Sequence, residues 1–416
     1  MGKGWGLVKG VSAASQGRGF APLLPLNDDL REGSNMPEIR PFTLAIAQSV
    51  LDDLAARLDL TRWPEKETVA DWSQGVPLAA IKALVAHWRH GYDWRACELR
   101  LNNFGQFLTE IDGLDIHFLH VRSRHAEARP LILTHGWPGS VNEFLAAIPM
   151  LSDPEAHGGR AEDAFHVVMP SLPGYGFSGK PSETGWHVQH VARAWASLMA
   201  RLGYTRWFAQ GGDWGAVVTA NIGAQAPEGL AGIHLNMPMA RPTAEDRANP
   251  DAEEQAAFAA GRHYQDWDSG YSKIQATRPQ TIGYGLVDSP VALAAWIYEK
   301  MWPWTDNSGA PEDALTMDTI LDNVMLYWLA GNGASAARMY WESFDAIGMS
   351  DEVLVPSAFT TFPREITKAP RKWTERRFTN IVYWNAAEKG GHFAAWEQPE
   401  IFVREVRAGF AAMDKK

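Results

Sequence analysis

Gly211-Gly212-Asp213-Trp214-Gly215 sets an acidic side chain among small neighbours, just after an apolar run from Trp207 to Ala209 and just before a helical pattern starting at Ala216. Where a strand turns sharply into a helix, the central side chain is held strained and exposed, and its flanks must be small because the backbone passes close by. A carboxylate presented in this way can act as a nucleophile and form an ester. Alone, Asp213 would serve equally well as a helix N-cap, so its neighbours in the sequence decide. His135-Gly136-Trp137-Pro138-Gly139-Ser140 directly follows a second apolar run, Leu131 to Leu133. A glycine-containing turn there aims a backbone N–H into the site. Together with the N–H of the residue after the nucleophile it makes a two-donor oxyanion hole, here from Trp137 and Trp214. Near the C-terminus, Gly390-Gly391-His392-Phe393 offers an imidazole uncrowded by its neighbours. The order nucleophile, acid, histidine is that of a catalytic triad, and it asks for an acid after a late strand. Glu365, in Phe362-Pro363-Arg364-Glu365-Ile366, meets that requirement; Asp351, Glu352 and Glu388 compete with it.

These groups need a scaffold. Leu131 to Leu133, Phe165 to Met169, Trp207 to Ala209 and Ile233 to Leu235 are short apolar runs separated by helical patterns such as Val191 to Leu202 and Ala216 to Ile222. Such alternation predicts a mainly parallel sheet. Ahead of it, Ile111-Asp112-Gly113 with the alternating Ile116, Phe118 and His120 predicts a hairpin. Ile46, Val50, Leu54 and Leu58 fall four apart and predict a helix over Leu44 to Leu58, ended by Trp63-Pro64, with a second from Leu78 to Trp88. The expected organisation is a helical N-terminal region over 37–105 and a core in two parts, 106–238 and 346–416, with a helical lid over 239–345 inserted between them. The lid pattern is rich in aromatics, among them Tyr264, Tyr271, Trp296, Trp304, Tyr327 and Tyr340, and strand-like runs return at Val353 to Phe362 and Asn380 to Trp384.

Composition excludes several classes. The chain has 416 residues, 46% of them hydrophobic, and its net charge of −11 comes with no cluster of Lys and Arg, so nucleic acid is not an expected partner. No stretch approaches the roughly 18 apolar residues needed to cross a bilayer, so no membrane anchor is expected. The lone cysteine, Cys97, rules out an internal disulfide, and a cytoplasmic setting is expected. Residues 1–36 read as a disordered tail, with Met36 an alternative natural start. Gly174-Tyr175-Gly176-Phe177-Ser178-Gly179 matches a dinucleotide fingerprint in form, but Lys180-Pro181 prevents a helix from opening there, so it reads as a loop. The pairs His87 with His90 and His187 with His190 lack the further ligands zinc requires, and no metal or organic cofactor is expected.

At this point the chain resembles the microsomal-type epoxide hydrolases, a group that includes juvenile hormone epoxide hydrolases and soluble fungal and bacterial relatives. The likeness runs from Pro41 onward. It rests on Leu60-Thr61-Arg62-Trp63-Pro64, which resembles the signature of that family's helical N-terminal domain, and on the blocks His135 to Ser140, Gly211 to Gly215, Phe362 to Ile366 and Gly390 to Glu397. The resemblance implies an α/β-hydrolase fold with a helical lid insertion and a helical N-terminal region. It implies hydrolysis of hydrophobic epoxides to vicinal diols through a covalent ester on Asp213, cleaved by water that His392 activates, with Glu365 as the acid. It further implies two lid tyrosines, Tyr271 and Tyr340, as proton donors to the epoxide oxygen. The membrane-anchored members begin with an apolar helix that this chain lacks, so the likeness is to the soluble branch. The alternatives are a haloalkane dehalogenase-like hydrolase, which shares the aspartate and the adjacent tryptophan, and a non-catalytic binding protein on the same scaffold. Esterases of this fold carry serine in the turn, and the chain has no Gly-x-Ser-x-Gly. A monomer and a homodimer are both compatible with the sequence, and the biological role, detoxification or a pathway step, is unassigned.

Overall fold

The apolar runs do form the centre of one sheet. The computed structural model describes residues 38–346 and 351–414; the expectations of a disordered tail and a start at Met36 fall outside them. Nine strands, β1 Arg40–Pro41, β2 Gln106–Ile111, β3 Leu114–Val121, β4 Arg129–Thr134, β5 Phe165–Pro170, β6 Trp207–Gly211, β7 Leu230–Leu235, β8 Ser357–Thr361 and β9 Ile381–Ala386, lie in the order β1-β2-β3-β5-β4-β6-β7-β8-β9. From β5 to β9 all pairs are parallel, while β1, β2 and β3 join antiparallel at one edge. Every residue of β5 and β6 is buried, as expected of parallel strands covered on both faces. The chain leaves β4 toward β5 on one side and later returns to β6 on the other, so the connections diverge at the carboxyl ends of β4 and β6. A crevice opens at such a switch point.

Helices follow from the same patterns. In the N-terminal region α1 Gln48–Asp59, α2 Leu78–His90 and α3 Trp94–Asn102 bury Leu54, Leu58, Leu84, Trp88 and Leu101. On the core, α4 Ala147–Ser152, α5 Val188–Arg201 and α6 Trp214–Gln225 follow β4, β5 and β6. Helix α6 is apolar on every side, and Trp214 through Gly223 are all buried, which suits a helix enclosed by the sheet and its neighbours. Between β7 and β8 the chain is helical: α7 Ala244–Ala248, α8 Ala252–His263, α9 Gly270–Thr277, α10 Pro279–Asp288, α11 Pro290–Trp304, α12 Met317–Ala330 and α13 Gly333–Ser343. Then α14 Arg371–Thr374, α15 Ala394–Glu397 and α16 Pro399–Met413 accompany the last strands. The N-terminal helices pack on α11 and α12. There Tyr92 Oη donates to Asp322 at 2.8 Å, Arg100 pairs with the same carboxylate, and the Trp88 indole N–H points at Met325 Sδ.

Three elements differ from expectation, each for a local reason. The strand expected over Val353 to Phe362 is only Ser357–Thr361, with Val353 making an isolated bridge to Phe378; Pro356 has no N–H to continue the ladder. Helix α1 begins at Gln48 rather than Leu44, because the Leu44 and Ile46 N–H groups donate to Asn102 and Glu98 side chains of α3 and hold that segment extended. It ends at Asp59, ahead of Trp63-Pro64. Strand β1 was not legible at all: two residues carry no period.

Candidate active site

Asp213 sits where β6 turns into α6, with φ 50° and ψ −128°. That left-handed backbone is strained for any residue but glycine, and close packing enforces it. A Cβ on Gly215 would lie 1.9 Å from the Thr134 carbonyl, one on Gly211 would lie 2.1 Å from the Gly215 carbonyl, and one on Gly136 would lie 2.2 Å from Asp213 Oδ1. The carboxylate is held asymmetrically. Oδ1 accepts the Trp137 N–H at 2.7 Å, while Oδ2 lies 3.2 Å from His392 Nε2. Trp214 is the first residue of α6, so its N–H has no carbonyl partner within the helix.

His392 arrives from the loop after β9. Its Nδ1–H donates to Glu365 Oε1 at 2.7 Å, leaving Nε2 toward Asp213, where the approach lacks the alignment of a hydrogen bond. Glu365 Oε1 also accepts the Ile366 N–H at 2.7 Å. Burial alone would lower the imidazole, but the Glu365 and Asp213 carboxylates outweigh it and hold His392 well above its ordinary value. The histidine N–H donates to the Trp304 carbonyl at 2.8 Å, and the Trp304 ring meets the imidazole edge-on at 5.0 Å. A Cβ on Gly391 would lie 2.4 Å from that carbonyl, which explains the glycine before the histidine.

Both tyrosines implied by the resemblance come to the same place. Tyr271, near the start of α9, stacks on the Trp137 ring at 4.6 Å, and Tyr340, in α13, meets the Trp214 ring edge-on at 4.8 Å. Their rings lie 5.8 Å apart. Burial, with Asp213 among the lesser causes, raises both phenols well above their ordinary value, so each keeps its proton at neutral pH. The two tryptophans whose N–H groups were expected to face the nucleophile thus also carry, on their rings, the two phenols. Tyr264 Oη lies 3.1 Å from Tyr271 Oη, in one turn of π-helix over Tyr264–Asp268, a backbone form frequent at functional sites.

Sequence reasoning missed five participants. Tyr264 stands seven residues before Tyr271, in the turn just ahead of α9, a two-turn spacing that would have found it. Lys300, buried in α11, pairs with Asp268 Oδ1 at 2.5 Å and Glu299 Oε2 at 2.7 Å, and its ammonium sits 4.8 Å above the Tyr271 ring. The adjacent charged residues Glu299 and Lys300 inside an otherwise apolar helix were the available signal. Asp268 Oδ2 in turn accepts the Trp304 indole N–H at 2.6 Å. Glu143 and Asn236 face a cavity of about 10 Å³ beside Asp213 and His392; burial pushes the Glu143 carboxyl up to about 8. Ser140-x-x-Glu143 has the spacing of a capping box, which disguises the glutamate as structural.

Other candidates lie elsewhere. Glu388 is exposed and pairs with Arg404, while Asp351 offers its carbonyl to Arg377. Gly174 to Gly179 is a turn beyond β5 whose Gly174 and Gly176 have positive φ. His87 pairs with Asp318 and His190 with Asp112. Among the described residues the cluster with metal-ligand proximity is His125, Asp153 and Glu155, and Arg124 already occupies its carboxylates.

The arrangement can open a strained ring by carboxylate attack while phenols hold the ring oxygen. A family model described as "Epoxide hydrolase N terminus" matches residues 39–144, and one described as "alpha/beta hydrolase fold" matches residues 129–269. A Stigmatella aurantiaca protein, provisionally named an epoxide hydrolase, is 54% identical over 91% of this chain and 86% of its own length. Epoxide hydrolase 1 of Oryctolagus cuniculus is 35% identical over 92% of each chain. Among solved structures, the juvenile hormone epoxide hydrolase of the silkworm Bombyx mori superposes with a TM-score of 0.85 at 30% identity, covering 93% of this chain and 97% of that one. The Aspergillus niger epoxide hydrolase gives a TM-score of 0.81 at 33% identity over 90% and 97%. With relatives of this closeness over nearly its whole described length and set on the same fold, the chain belongs to the epoxide hydrolases of α/β-hydrolase fold.

Proposed function

We propose that Asp213 opens a hydrophobic epoxide by forming a hydroxyalkyl ester, which water activated by His392 then cleaves to a vicinal diol. The observation that carries this reading is the asymmetry of the carboxylate. Oδ1 is engaged by the Trp137 N–H at 2.7 Å, so Oδ2 has the freer lone pair and attacks the ring carbon. The breaking C–O bond leaves its electron pair on oxygen, which takes a proton from Tyr271 or Tyr340. Oδ1 has then become the ester carbonyl oxygen, already placed on the donor that must hold its charge when water adds. Trp214 supplies the second donor; removing one such donor typically costs about 10² to 10³ in rate.

In the second step water adds to the Asp213 Cγ while His392 takes its proton, with Glu365 fixing the imidazole through Nδ1. The intermediate collapses, the diol oxygen leaves with the proton from His392, and the remaining proton of water returns to the tyrosine. Esterification removes one of the two negative charges that hold the proton on His392, so the imidazole becomes a better base when a base is needed. The chemistry uses the chain's own side chains and backbone N–H groups. The aromatic walls from Trp137, Tyr271, Trp304 and Tyr340 favour a small hydrophobic epoxide, and the inserted helices that carry both phenols serve as a lid over the site. Among the described residues no helix is long and apolar enough to cross a membrane. The reading includes a cytoplasmic setting, supported by the single buried thiol of Cys97.

A single turnover of excess enzyme on styrene oxide in oxygen-18 water tests the reading. The expected result is an unlabelled diol with label in the Asp213 peptide, and no diol from Asp213→Asn. A diol labelled in that first turnover means direct attack by water and overturns the assignment.

A further inference from the structure

The ester-cleaving step needs more than a base. A water molecule that attacks the Asp213 Cγ uses one lone pair on carbon and gives one hydrogen to His392 Nε2. Its other hydrogen requires an acceptor, because a polar hydrogen left unpaired in an enclosed site is costly. The cavity beside the nucleophile, of about 10 Å³ and lined by Gly136, Glu143, Gly212, Asp213, Asn236 and His392 among others, matches the space of one water molecule. His392 Nε2, on a side chain only 1% exposed, faces Asp213 with no hydrogen-bond partner of its own. Of the other side chains on the cavity wall, Asn236 already spends its carbonyl oxygen on Gln210 Nε2 at 3.1 Å, which leaves its amide as a donor. The Asp213 oxygens belong to the group under attack. Glu143 remains.

We infer that Glu143 accepts the second hydrogen of the hydrolytic water and so orients that water between His392 and the Asp213 ester. The inference rests on the ester mechanism proposed above. Glu143 is well fixed for the task. It lies in the short 3-10 turn Val141–Phe144 that Ser140 caps, and its side chain folds back on the Gly136–Ser140 turn so closely that a Cβ on Gly139 would meet Oε1 at 1.5 Å. That glycine therefore makes the room for the carboxyl, and the turn that supplies the Trp137 donor also supplies the acceptor. Burial raises the Glu143 carboxyl to about 8, against the pull of His392 and with the push of Asp213. At neutral pH it is then an uncharged acid whose carbonyl oxygen accepts a hydrogen bond without setting a second negative charge beside the developing oxyanion. No proton is transferred to Glu143 in the step: the water proton goes to His392 and from there to the leaving diol oxygen.

The test separates the two half-reactions. Excess wild-type, Glu143→Gln and Glu143→Met enzymes are mixed with styrene oxide, and the Asp213 ester is followed by quenching and peptide mass. Glutamine keeps an acceptor oxygen and methionine does not. Ester formation is expected within about twofold of wild type in both variants, whereas ester decay slows about tenfold or more in Glu143→Met and only a few-fold in Glu143→Gln. Where methionine does not pack, Glu143→Ala takes its place, and the ester-forming burst itself reports an intact site. Decay at the wild-type rate in the variant lacking an acceptor overturns the inference. So does an equal slowing of formation and decay, because a glutamate that merely props the turn would displace the Trp137 donor and misplace Asp213 in both steps. Failure of the wild-type enzyme to form any ester would instead overturn the mechanism beneath it.

Discussion

Three glycines around Asp213 give a graded prediction, because an added methyl meets something different at each. On Gly212 a Cβ finds its nearest atom, Asn236 Nδ2, at 3.7 Å, an ordinary contact. On Gly136 it lies 2.2 Å from Asp213 Oδ1, where contacts under 3.0 Å essentially do not occur, so the carboxylate or the turn must move by about 0.8 Å. On Gly215 it lies 1.9 Å from the Thr134 carbonyl of β4, and neither backbone can give. Gly212→Ala should therefore leave the fold intact and ester formation within about twofold of wild type. Gly136→Ala should keep the fold but break the 2.7 Å bond from the Trp137 N–H to Oδ1, and a misplacement approaching 1 Å in a reacting group costs about 10²-fold. Gly215→Ala should fail to fold or lose several kcal/mol, roughly the upper range for overpacking. Single-turnover ester formation on styrene oxide, with near-ultraviolet circular dichroism and chemical denaturation on the same samples, reads all three. If Gly136→Ala forms ester within about fivefold of wild type, the tight seat of the nucleophile does not matter to catalysis as argued from near-attack geometry.

His392→Gln should form the Asp213 ester at a near-normal rate and then hold it, with decay slowed about 10²-fold or more; rapid decay in a quench experiment would remove His392 from the base role. Tyr340→Phe and Tyr271→Phe should each slow ester formation by about tenfold or more, and the double variant should nearly abolish it; a double variant as active as either single one would mean that the phenols do not share the epoxide oxygen. In Asp213→Asn the His392 imidazole loses one of its two carboxylate neighbours, so its titration should move down from its raised native position, as followed by nitrogen-15 NMR; an unmoved titration contradicts the electrostatic account. The sign for stability follows: a histidine raised above 6.5 in the native state stabilises fully below pH 6.5 and loses that contribution as pH climbs through the native value. Lys300→Met strands Asp268 in a buried site and should cost about 3 to 5 kcal/mol in denaturant melts, with part of the loss recovered in Lys300→Met/Asp268→Asn.

What could be read from the sequence was whatever a short motif encodes by itself. The turn around Asp213 was legible because its demands are steric and local, and Gly211 and Gly215 are positions where a Cβ would strike backbone. Chain order and a preceding strand narrowed the acid to a few residues, but only the folded loops bring Glu365, and not Glu388, to 2.7 Å from His392. The parallel strands showed themselves as unbroken apolar runs, while β1, with its two residues, carried no signal. Glu143 stayed hidden behind the spacing of a capping box, and Lys300 and Asp268 for another reason. The latter two owe their positions to each other across segments far apart in the chain, Lys300 in α11 and Asp268 before α9, and no spacing rule reaches that far.

The insertion between β7 and β8 does more than roof the crevice. Asn323 and Tyr327 of α12 donate to the carbonyls of Pro138 and Gly139 at 2.7 and 2.8 Å, so the insertion satisfies the turn that bears the Trp137 donor. At the other wall, α11 ends in the Trp304 carbonyl that takes the His392 N–H, and Asp306 just beyond accepts the N–H of Gly390. The insertion is thus not a detachable module. Grafting one from a relative to change substrate scope would carry away the backbone partners of both the base and the oxyanion turn unless Trp304 to Asp306, Asn323 and Tyr327 travelled with their counterparts. Change in the insertion is thereby channelled away from α11 and α12, which are kept as a fixed frame.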